Sequence, residues 1–105
     1  MKSERNFREK VYEIASHIPK GKVLTYGKLA KLAGSPGAAR AVGMCMKENP
    51  DIKIVPCHRV VASNGKLTGY SNGGVEVKKR MLLEEGVAFK KDTVDLSISL
   101  WNPLR

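Results

Sequence analysis

The stretch Thr25–Lys47, TYGKLAKLAGSPGAARAVGMCMK, decides the fold of this chain. Thr25 is a good N-cap for a short helix, and Gly34 can supply the left-handed residue that ends it. Ser35 can then cap a second helix, with Pro36 at its first position, that runs to the end of the stretch. Two short helices joined by a tight turn predict a helix-turn-helix.

Two further helices and a small β-sheet are predicted around this stretch. Apolar residues spaced on one helical face indicate a first helix from Phe7, and Val75–Glu85 is predicted as the last helix. The apolar runs Ile52–Val55 and Val60–Val61 precede Ser63–Gly65, a sequence typical of a hairpin turn. We therefore expect a mainly α fold with a small β hairpin, of the winged helix-turn-helix-like class.

The composition is that of one globular domain with a polyanionic partner. Of 105 residues, 42% are hydrophobic and 28% are charged, so we expect residues 1–105 to form a single domain. The net charge of +9 favours a nucleic acid partner, with a basic surface kept for solubility, a ribosomal role or a membrane-surface role as alternatives. The apolar runs are short and no signal peptide is present, so we expect a cytoplasmic protein, nuclear in a eukaryote, without membrane attachment.

The second helix of the motif has small residues around one long cation. Its opening, Gly37–Gly43, offers Ala38, Ala39 and Arg40 but no Asn, Gln or second Arg that could read several base edges. Small side chains with a single inserted arginine suit a DNA-binding helix that recognises shape in a narrow groove. The alternative is that the alanines pack in the interior and that Arg40 is an ordinary surface charge. A sequence-specific transcription factor would need more polar groups here.

Cys57 is the candidate nucleophile. A thiol reacts as its thiolate and needs a base or cation nearby, and His58 follows Cys57 in a predicted bend. Glu85 shares a helical face with Val77 and Met81 at a spacing of four residues, so it is expected to point inward and orient His58. An unreactive buried Cys57 is the alternative, and a thiol hydrolase is a second one.

The cysteines and histidines are too few for a metal site. Besides Cys57 and His58 the chain has only Cys45 and His17, whereas structural zinc needs four convergent ligands. We interpret Cys45 as a packed apolar side chain and His17 as a solvated residue at a helix end. We therefore expect no metal.

Five motifs in this order resemble the active-site domain of the O6-alkylguanine-DNA alkyltransferases, also called methylated-DNA–protein-cysteine methyltransferases. They are TYGKLAKLAG (25–34), AARAVG (38–43), ENP (48–50), PCHRVV (56–61) and GYSNGG (69–74). The resemblance covers roughly residues 7–90. It implies irreversible, single-turnover transfer of an alkyl group from guanine in DNA to the chain itself, without cofactor or metal.

The resemblance also implies roles for the residues of the bend. Cys57 would accept the alkyl group, and His58 would deprotonate it through a water molecule. Glu85 would orient His58, and Asn49 would brace the bend through backbone hydrogen bonds. The loop at 71–74 is one residue longer than the usual Ser-Gly-Gly, so Glu84 is the alternative to Glu85.

The implied partner is double-stranded DNA, bound through its minor groove by a monomer. Arg40 would fill the gap left by a flipped alkylated guanine, and Tyr26 would press on the adjacent phosphate, hold the guanine and donate a proton to it. Tyr70 and Ser71 would belong to the loop that closes over the base, and the backbone at Val60 would contact the guanine edge. Alkyltransferase-like proteins, which bind alkylated guanine without transfer and generally lack the acceptor cysteine, are the nearest alternative.

Overall fold

The computed structural model describes residues 6–68 and 73–103, and these residues are mainly helical. In chain order the elements are α1 (Phe7–Ser16), β1 (Leu24–Thr25), α2 (Tyr26–Leu32), α3 (Ala39–Lys47), a 3-10 turn (Cys57–Arg59), β2 (Val60–Val61), α4 (Gly74–Glu84), β3 (Phe89–Lys90), β4 (Thr93–Val94) and α5 (Leu96–Ser99). Within the described ranges, no helix has the length and apolar character needed to cross a bilayer. The predicted class, mainly α with a small β hairpin, is confirmed.

The predicted helix-turn-helix is formed by α2 and α3. The Thr25 hydroxyl accepts a hydrogen bond from the Lys28 amide at 3.1 Å, which satisfies one of the open donors at the start of α2. At the other end Gly34 has φ +93°, and the Ser35 amide donates to the Ala30 carbonyl at 2.9 Å. This is the left-handed closure that the sequence predicted for α2.

The start of α3 was predicted three residues too early. Ser35 does not cap the helix, because its amide closes α2 and its carbonyl accepts from the Ala38 amide at 2.9 Å. Pro36 and Gly37 therefore form a turn, and α3 begins at Ala39 without a side-chain cap. Glycine is costly inside a helix, which favours the turn at this place.

The hairpin was predicted at the wrong place. β2 pairs in parallel with β1, with Leu24 opposite Val60, and the antiparallel hairpin of the fold is β3–β4. The turn at Ser63–Gly65 exists, but after it Lys66 forms a bridge to Thr93 instead of returning along β2. β1 and β2 are far apart in the sequence, and the periodicity of apolar residues alone does not reveal which strands pair.

The apolar run Ile52–Val55 is a turn and not a strand. The Asp51 side chain accepts from the Lys53 amide at 2.9 Å, and such local bonds compete with sheet formation. Ile54 is 65% exposed, whereas Val55 is buried. The segment thus leads the chain from α3 to the 3-10 turn with only its last residue in the core.

The 3-10 turn is part of the main core. This core is lined by α1, α2 and α3 and consists of Val11, Ala15, Ile18, Leu24, Leu29, Ala30, Ala33, Val42, Cys45, Met46, Val55, Cys57 and Val60. Trp101 packs against it, and its amide donates to the Val23 carbonyl at 2.8 Å, as expected for a residue that holds the tail to the body. Because Cys57 belongs to this core, packing fixes its position.

The turn after β2 gives a prediction on stability. Gly65 has φ +86°, and a Cβ there would collide with the Val94 carbonyl oxygen; Gly34 has φ +93° and open space around it. Gly34→Ala should cost about 1 kcal/mol of unfolding free energy from left-handed strain alone. Gly65→Ala should cost at least about 1 kcal/mol more, because backbone must move. Urea denaturation of both variants checks this, and equal losses would contradict the packing described.

Candidate active site around Cys57

Cys57 lies at the first position of the 3-10 turn. Its amide donates to the Val55 carbonyl at 2.8 Å, and the Arg59 amide donates to the Pro56 carbonyl at 2.9 Å. Cys57 and its neighbour His58 are both only 4% exposed. The turn therefore holds the thiol and the imidazole together in a site from which bulk water is largely excluded.

Asn49 braces the approach to this turn. Its side-chain Nδ2 donates to the Val55 carbonyl at 2.7 Å, and its Oδ1 accepts from the Asp51 amide at 3.1 Å. One side chain thus connects the end of α3 with the residue to which Cys57 is hydrogen-bonded.

His58 is hydrogen-bonded to Glu85. The imidazole Nε2 lies 3.0 Å from the Glu85 Oε2, whereas the side chain of Glu84 is exposed. An ionised carboxylate can only accept, so Nε2 donates and the basic lone pair of the neutral ring is on Nδ1. Burial lowers the pKa of His58 more than Glu85 raises it. The ring is therefore neutral at neutral pH and able to take up a proton.

Arg59 completes this group and was not assigned from the sequence. Its Nε and Nη2 donate to the two oxygens of Glu85 at 2.9 and 2.7 Å, and its Nη1 donates to the Ile18 carbonyl at 2.7 Å. Burial alone would raise the pKa of Glu85, but the bonds from Arg59 and His58 outweigh it and lower that pKa. Arg59 thus keeps the carboxylate charged. A cationic residue within a short run of buried residues indicates that its charge is paired inside the protein, and this signal could have identified Arg59.

Tyr26 is the first residue of α2 and packs against the core that contains Cys57. Its hydroxyl is 2.7 Å from the Thr68 Oγ1, and burial raises the pKa of the phenol. The negative charge of a Cys57 thiolate raises the pKa of Tyr26 further. The phenol therefore holds its proton beside the thiol.

Lys78 also faces this site, although no pattern in the sequence indicated it. Its side chain is 1% exposed, and its Nζ lies 5.9 Å from the centre of the Tyr26 ring. Burial lowers the pKa of Lys78 to about 8, against an opposing effect of the Cys57 thiolate. The site thus contains a cation that titrates within a few pH units of neutrality.

The residues predicted to contact DNA lie on α3 and β2. Arg40 is exposed, while Ala38 and Ala39 are half-buried at the start of α3 and Val60 is buried in β2. Across residues 6–68 and 73–103, Arg40 has no ion-pair partner. Tyr70 and Ser71 lie outside the described residues.

Cys45 is separate from this chemistry. It is buried in α3, burial raises the pKa of its thiol, and its carbonyl accepts from the Tyr12 hydroxyl at 2.7 Å. In the described part of the chain, no three His, Cys, Asp or Glu side chains are arranged to hold a metal ion. The structure thus brings together Cys57, His58 and Glu85 and places Cys45 in the packing between helices.

The chain is similar to known proteins of one kind. The family model described as "6-O-methylguanine DNA methyltransferase, DNA binding domain" matches residues 6–87. A methylated-DNA–protein-cysteine methyltransferase of Methanosarcina acetivorans is 48% identical over 80 residues, which are 76% of this chain and 51% of that protein. The protein of the same name from Salmonella typhimurium is 50% identical over 80 residues, 46% of its length. The chain therefore spans about half the length of these curated relatives.

Solved structures show the same likeness. A crystal structure of S. pombe Atl1 in complex with damaged DNA containing O6-carboxymethylguanine matches with a TM-score of 0.79 and 35% identity, over 95% of this chain and 100% of Atl1. Mycobacterium tuberculosis OGT in complex with DNA matches with a TM-score of 0.72 and 44% identity, over 79% of this chain and 50% of OGT. The chain thus belongs to the 6-O-methylguanine DNA methyltransferase family, through the DNA-binding domain of that family.

Proposed function

We propose that this chain repairs O6-alkylguanine in DNA by transferring the alkyl group to Cys57, once per molecule. The observation that carries the proposal is the hydrogen bond of 3.0 Å between His58 and Glu85, because His58 follows Cys57 directly in the same tight turn. A nucleophile, a base and a group that orients the base are the arrangement that thiol chemistry needs. The names of the relatives support the same reaction.

The proposed reaction is a displacement at the alkyl carbon. The Cys57 proton passes to His58, and the resulting imidazolium is stabilised by the carboxylate of Glu85. The thiolate then forms a bond to the alkyl carbon while the bond from that carbon to guanine O6 breaks, and the electron pair stays on guanine. Tyr26 gives the guanine a proton as a general acid. The product is a thioether, which is stable, so each molecule reacts once.

Arg59 has a supporting part in this reaction. Its two bonds to Glu85, at 2.9 and 2.7 Å, offset the cost of keeping a carboxylate in a largely buried position. A charged Glu85 both holds the imidazole in one orientation and favours its protonated form. No cofactor or metal takes part in the steps proposed.

The proposed partner is double-stranded DNA, which a monomer binds through the minor groove with α3. The small residues Ala38 and Ala39 would allow a close approach, and the exposed Arg40 is proposed to fill the gap when the alkylated guanine is flipped out. Flipping is required because a buried thiol cannot reach an atom within the base stack. Tyr70, Ser71 and the backbone at Val60 are proposed to enclose the flipped base.

The charge and the comparisons support this partner. A net charge of +9 draws the chain to phosphates at long range, and the matched Atl1 and OGT structures are complexes with DNA. We propose that residues 1–105 act as one domain carrying both the DNA contact and the thiol. The proposed compartment is the cytoplasm, or the nucleus in a eukaryote, where such a substrate is present.

A binding-only protein is the second candidate function. It is favoured by one observation: the match to Atl1 has the higher TM-score, 0.79 against 0.72 for OGT. Alkyltransferase-like proteins generally replace the acceptor cysteine, and this chain has Cys57 beside a polarised histidine. The thiol therefore favours transfer over binding alone.

The first prediction tests the transfer and its site. Incubation with a duplex containing O6-methylguanine should add one methyl group to the intact wild-type protein, as measured by mass spectrometry. Cys57→Ser should gain no mass. Cys45→Ser is the matched control, because it removes the other buried thiol, and it should gain one methyl group like the wild type.

Two outcomes would contradict the proposal. A protein that binds the lesion selectively without any mass change would belong to the binding-only class. A methyl group found on the Cys57→Ser protein but not on the Cys45→Ser protein would move the acceptor to Cys45. The thermal unfolding of both variants is measured as well, so that a loss of folding is not mistaken for a loss of chemistry.

The second prediction concerns the carboxylate that orients His58. Glu85→Gln should slow single-turnover transfer by roughly tenfold to a hundredfold, because the amide holds the imidazolium less well than a carboxylate does. Glu84→Gln is the matched control: the side chain is adjacent and exposed, and its rate should be that of the wild type. Equal rates in both variants, measured by quenched-flow at saturating DNA, would remove Glu85 from the mechanism.

A further inference from the structure

The hydroxyl of Thr68 forms a hydrogen bond with the phenol of Tyr26, with 2.7 Å between the two oxygens. The bond joins residues 42 positions apart in the chain, so it is made by the fold and not by a local turn. Tyr26 is half-buried, whereas Thr68 is exposed. This contact connects a residue without an assigned role to the group that is proposed as the general acid.

The backbone next to each residue holds this pair in place. Tyr26 directly follows β1, and β1 pairs with β2, the strand that follows the turn of Cys57. Leu67, the residue before Thr68, packs against the second apolar core of the fold. This core consists of Val23, Val61, Leu82, Val87 and Val94. The two hydroxyls are therefore brought together by the packing of the fold itself.

The direction of this bond during the reaction follows from the proton that Tyr26 has to give. A phenol has one hydrogen to donate, and its oxygen can accept a hydrogen bond at the same time. In the proposed reaction Tyr26 donates its hydrogen to the guanine, so its oxygen must accept from the Thr68 hydroxyl. Negative charge develops on that oxygen as the proton leaves. Because a hydrogen bond to a charged acceptor is stronger than one to a neutral acceptor, the Thr68 bond strengthens at this step.

The charged and titratable groups around Tyr26 act on it in different ways. Burial has the largest effect and raises the pKa of the phenol, and a Cys57 thiolate in the 3-10 turn raises it as well. The bond from Thr68 lowers that pKa. Lys78 of α4 has its Nζ 5.9 Å from the centre of the Tyr26 ring, so its contact is with the ring face. Thr68 is thus the neighbour that makes the phenol proton easier to lose.

We propose that Thr68 is a positioning residue for the transfer, whose hydroxyl fixes the Tyr26 hydroxyl and donates to its oxygen while Tyr26 protonates the guanine. This inference rests on the proposed transfer to Cys57. As the sulfur–carbon bond forms and the carbon–O6 bond breaks, the electron pair stays on guanine, which takes the proton of Tyr26. The phenolate keeps the bond from Thr68 and then regains a proton from water, while His58 releases the proton of Cys57 to water.

The first arm of the test measures the effect of Thr68 on the phenol of the protein alone. The three tyrosines are replaced by 3-fluorotyrosine, whose phenol ionises closer to neutral pH, and are followed by 19F NMR. Tyr26→Phe identifies the signal of Tyr26. Thr68→Val should raise the pH midpoint of Tyr26, because the donor to the phenolate is lost, whereas Thr68→Ser keeps a donor and should leave the midpoint unchanged. The signal of Tyr12, whose hydroxyl donates to the Cys45 carbonyl, should not move in either variant.

The second arm measures single-turnover methyl transfer at saturating DNA. Thr68→Val should slow the transfer roughly tenfold, as expected for the loss of a hydrogen bond to a charged oxygen, and Thr68→Ser should keep the wild-type rate. Thr93→Val is the matched control, because it removes a threonine hydroxyl in β4, and its rate should be that of the wild type. In a Tyr26→Phe chain the further change Thr68→Val should have no effect, because the partner hydroxyl is already removed.

Alkylation of Cys57 by iodoacetamide separates positioning from packing. Iodide leaves without taking up a proton, so this reaction needs no general acid. In a Cys45→Ser chain, Thr68→Val should therefore react with iodoacetamide at the rate of the chain that keeps Thr68. Equal slowing of iodoacetamide alkylation and of methyl transfer would indicate a packing role and would overturn the inference.

The outcomes separate this inference from the proposed function. A wild type without any methyl transfer would contradict the proposed function, and the 19F titration would still decide whether Thr68 donates to the Tyr26 phenolate. Normal transfer in the wild type with an unchanged Tyr26 midpoint in Thr68→Val would contradict the inference alone. Slower transfer on adding Thr68→Val to the Tyr26→Phe chain would also contradict it, because Thr68 would then act by another route than Tyr26.

Discussion

The carboxylate of Glu85 is the point on which the site depends. It caps the C-terminal end of α4, where the helix dipole disfavours a negative charge, and it is nevertheless ionised because Arg59 and His58 both bind it. Through these bonds one side chain joins α4 to the 3-10 turn. Arg59 extends the connection to the Ile18 carbonyl beyond α1. The orientation of His58 and the attachment of the 3-10 turn to α4 thus follow from a single group of hydrogen bonds.

The local signals of the sequence predicted much of the fold. Thr25 and Gly34 set the ends of α2 through bonds to residues within five positions, so their effect could be inferred directly. The start of α3 was predicted wrongly because the Ser35 amide closes α2 and the Ser35 carbonyl accepts a bond from Ala38 in the following turn. The pairing of Leu24 with Val60 was missed because it joins residues far apart in the chain, and no local pattern encodes such a pair.

The candidate site was predicted in part for the same reason. Helical spacing indicated the inward direction of Glu85, since Val77 and Met81 on its face are apolar. Arg59 and Lys78 were not found, because a buried cation depends on what the fold brings to it. For Arg59 that is the carboxylate of Glu85, and for Lys78 it is the ring of Tyr26. Sequence patterns assign charged residues to the surface by default, so they do not identify the charged residues that are buried.

The fold separates the proposed DNA contact from the proposed chemistry. α3 turns Val42 and Cys45 toward the core and Arg40 toward solvent, so contact with DNA needs no part of the thiol site. This division agrees with the match to both Atl1 and OGT. Beside the thiol of this chain lie a neutral imidazole, an ionised carboxylate and a buried lysine.

The most direct test of single-turnover transfer is the number of guanines restored per chain. A fixed amount of protein is incubated with an excess of O6-methylguanine duplex, and the bases are counted by chromatography after hydrolysis of the DNA. The account predicts a plateau at one guanine restored per molecule of protein. Continued restoration beyond one equivalent, or none at all, would contradict it.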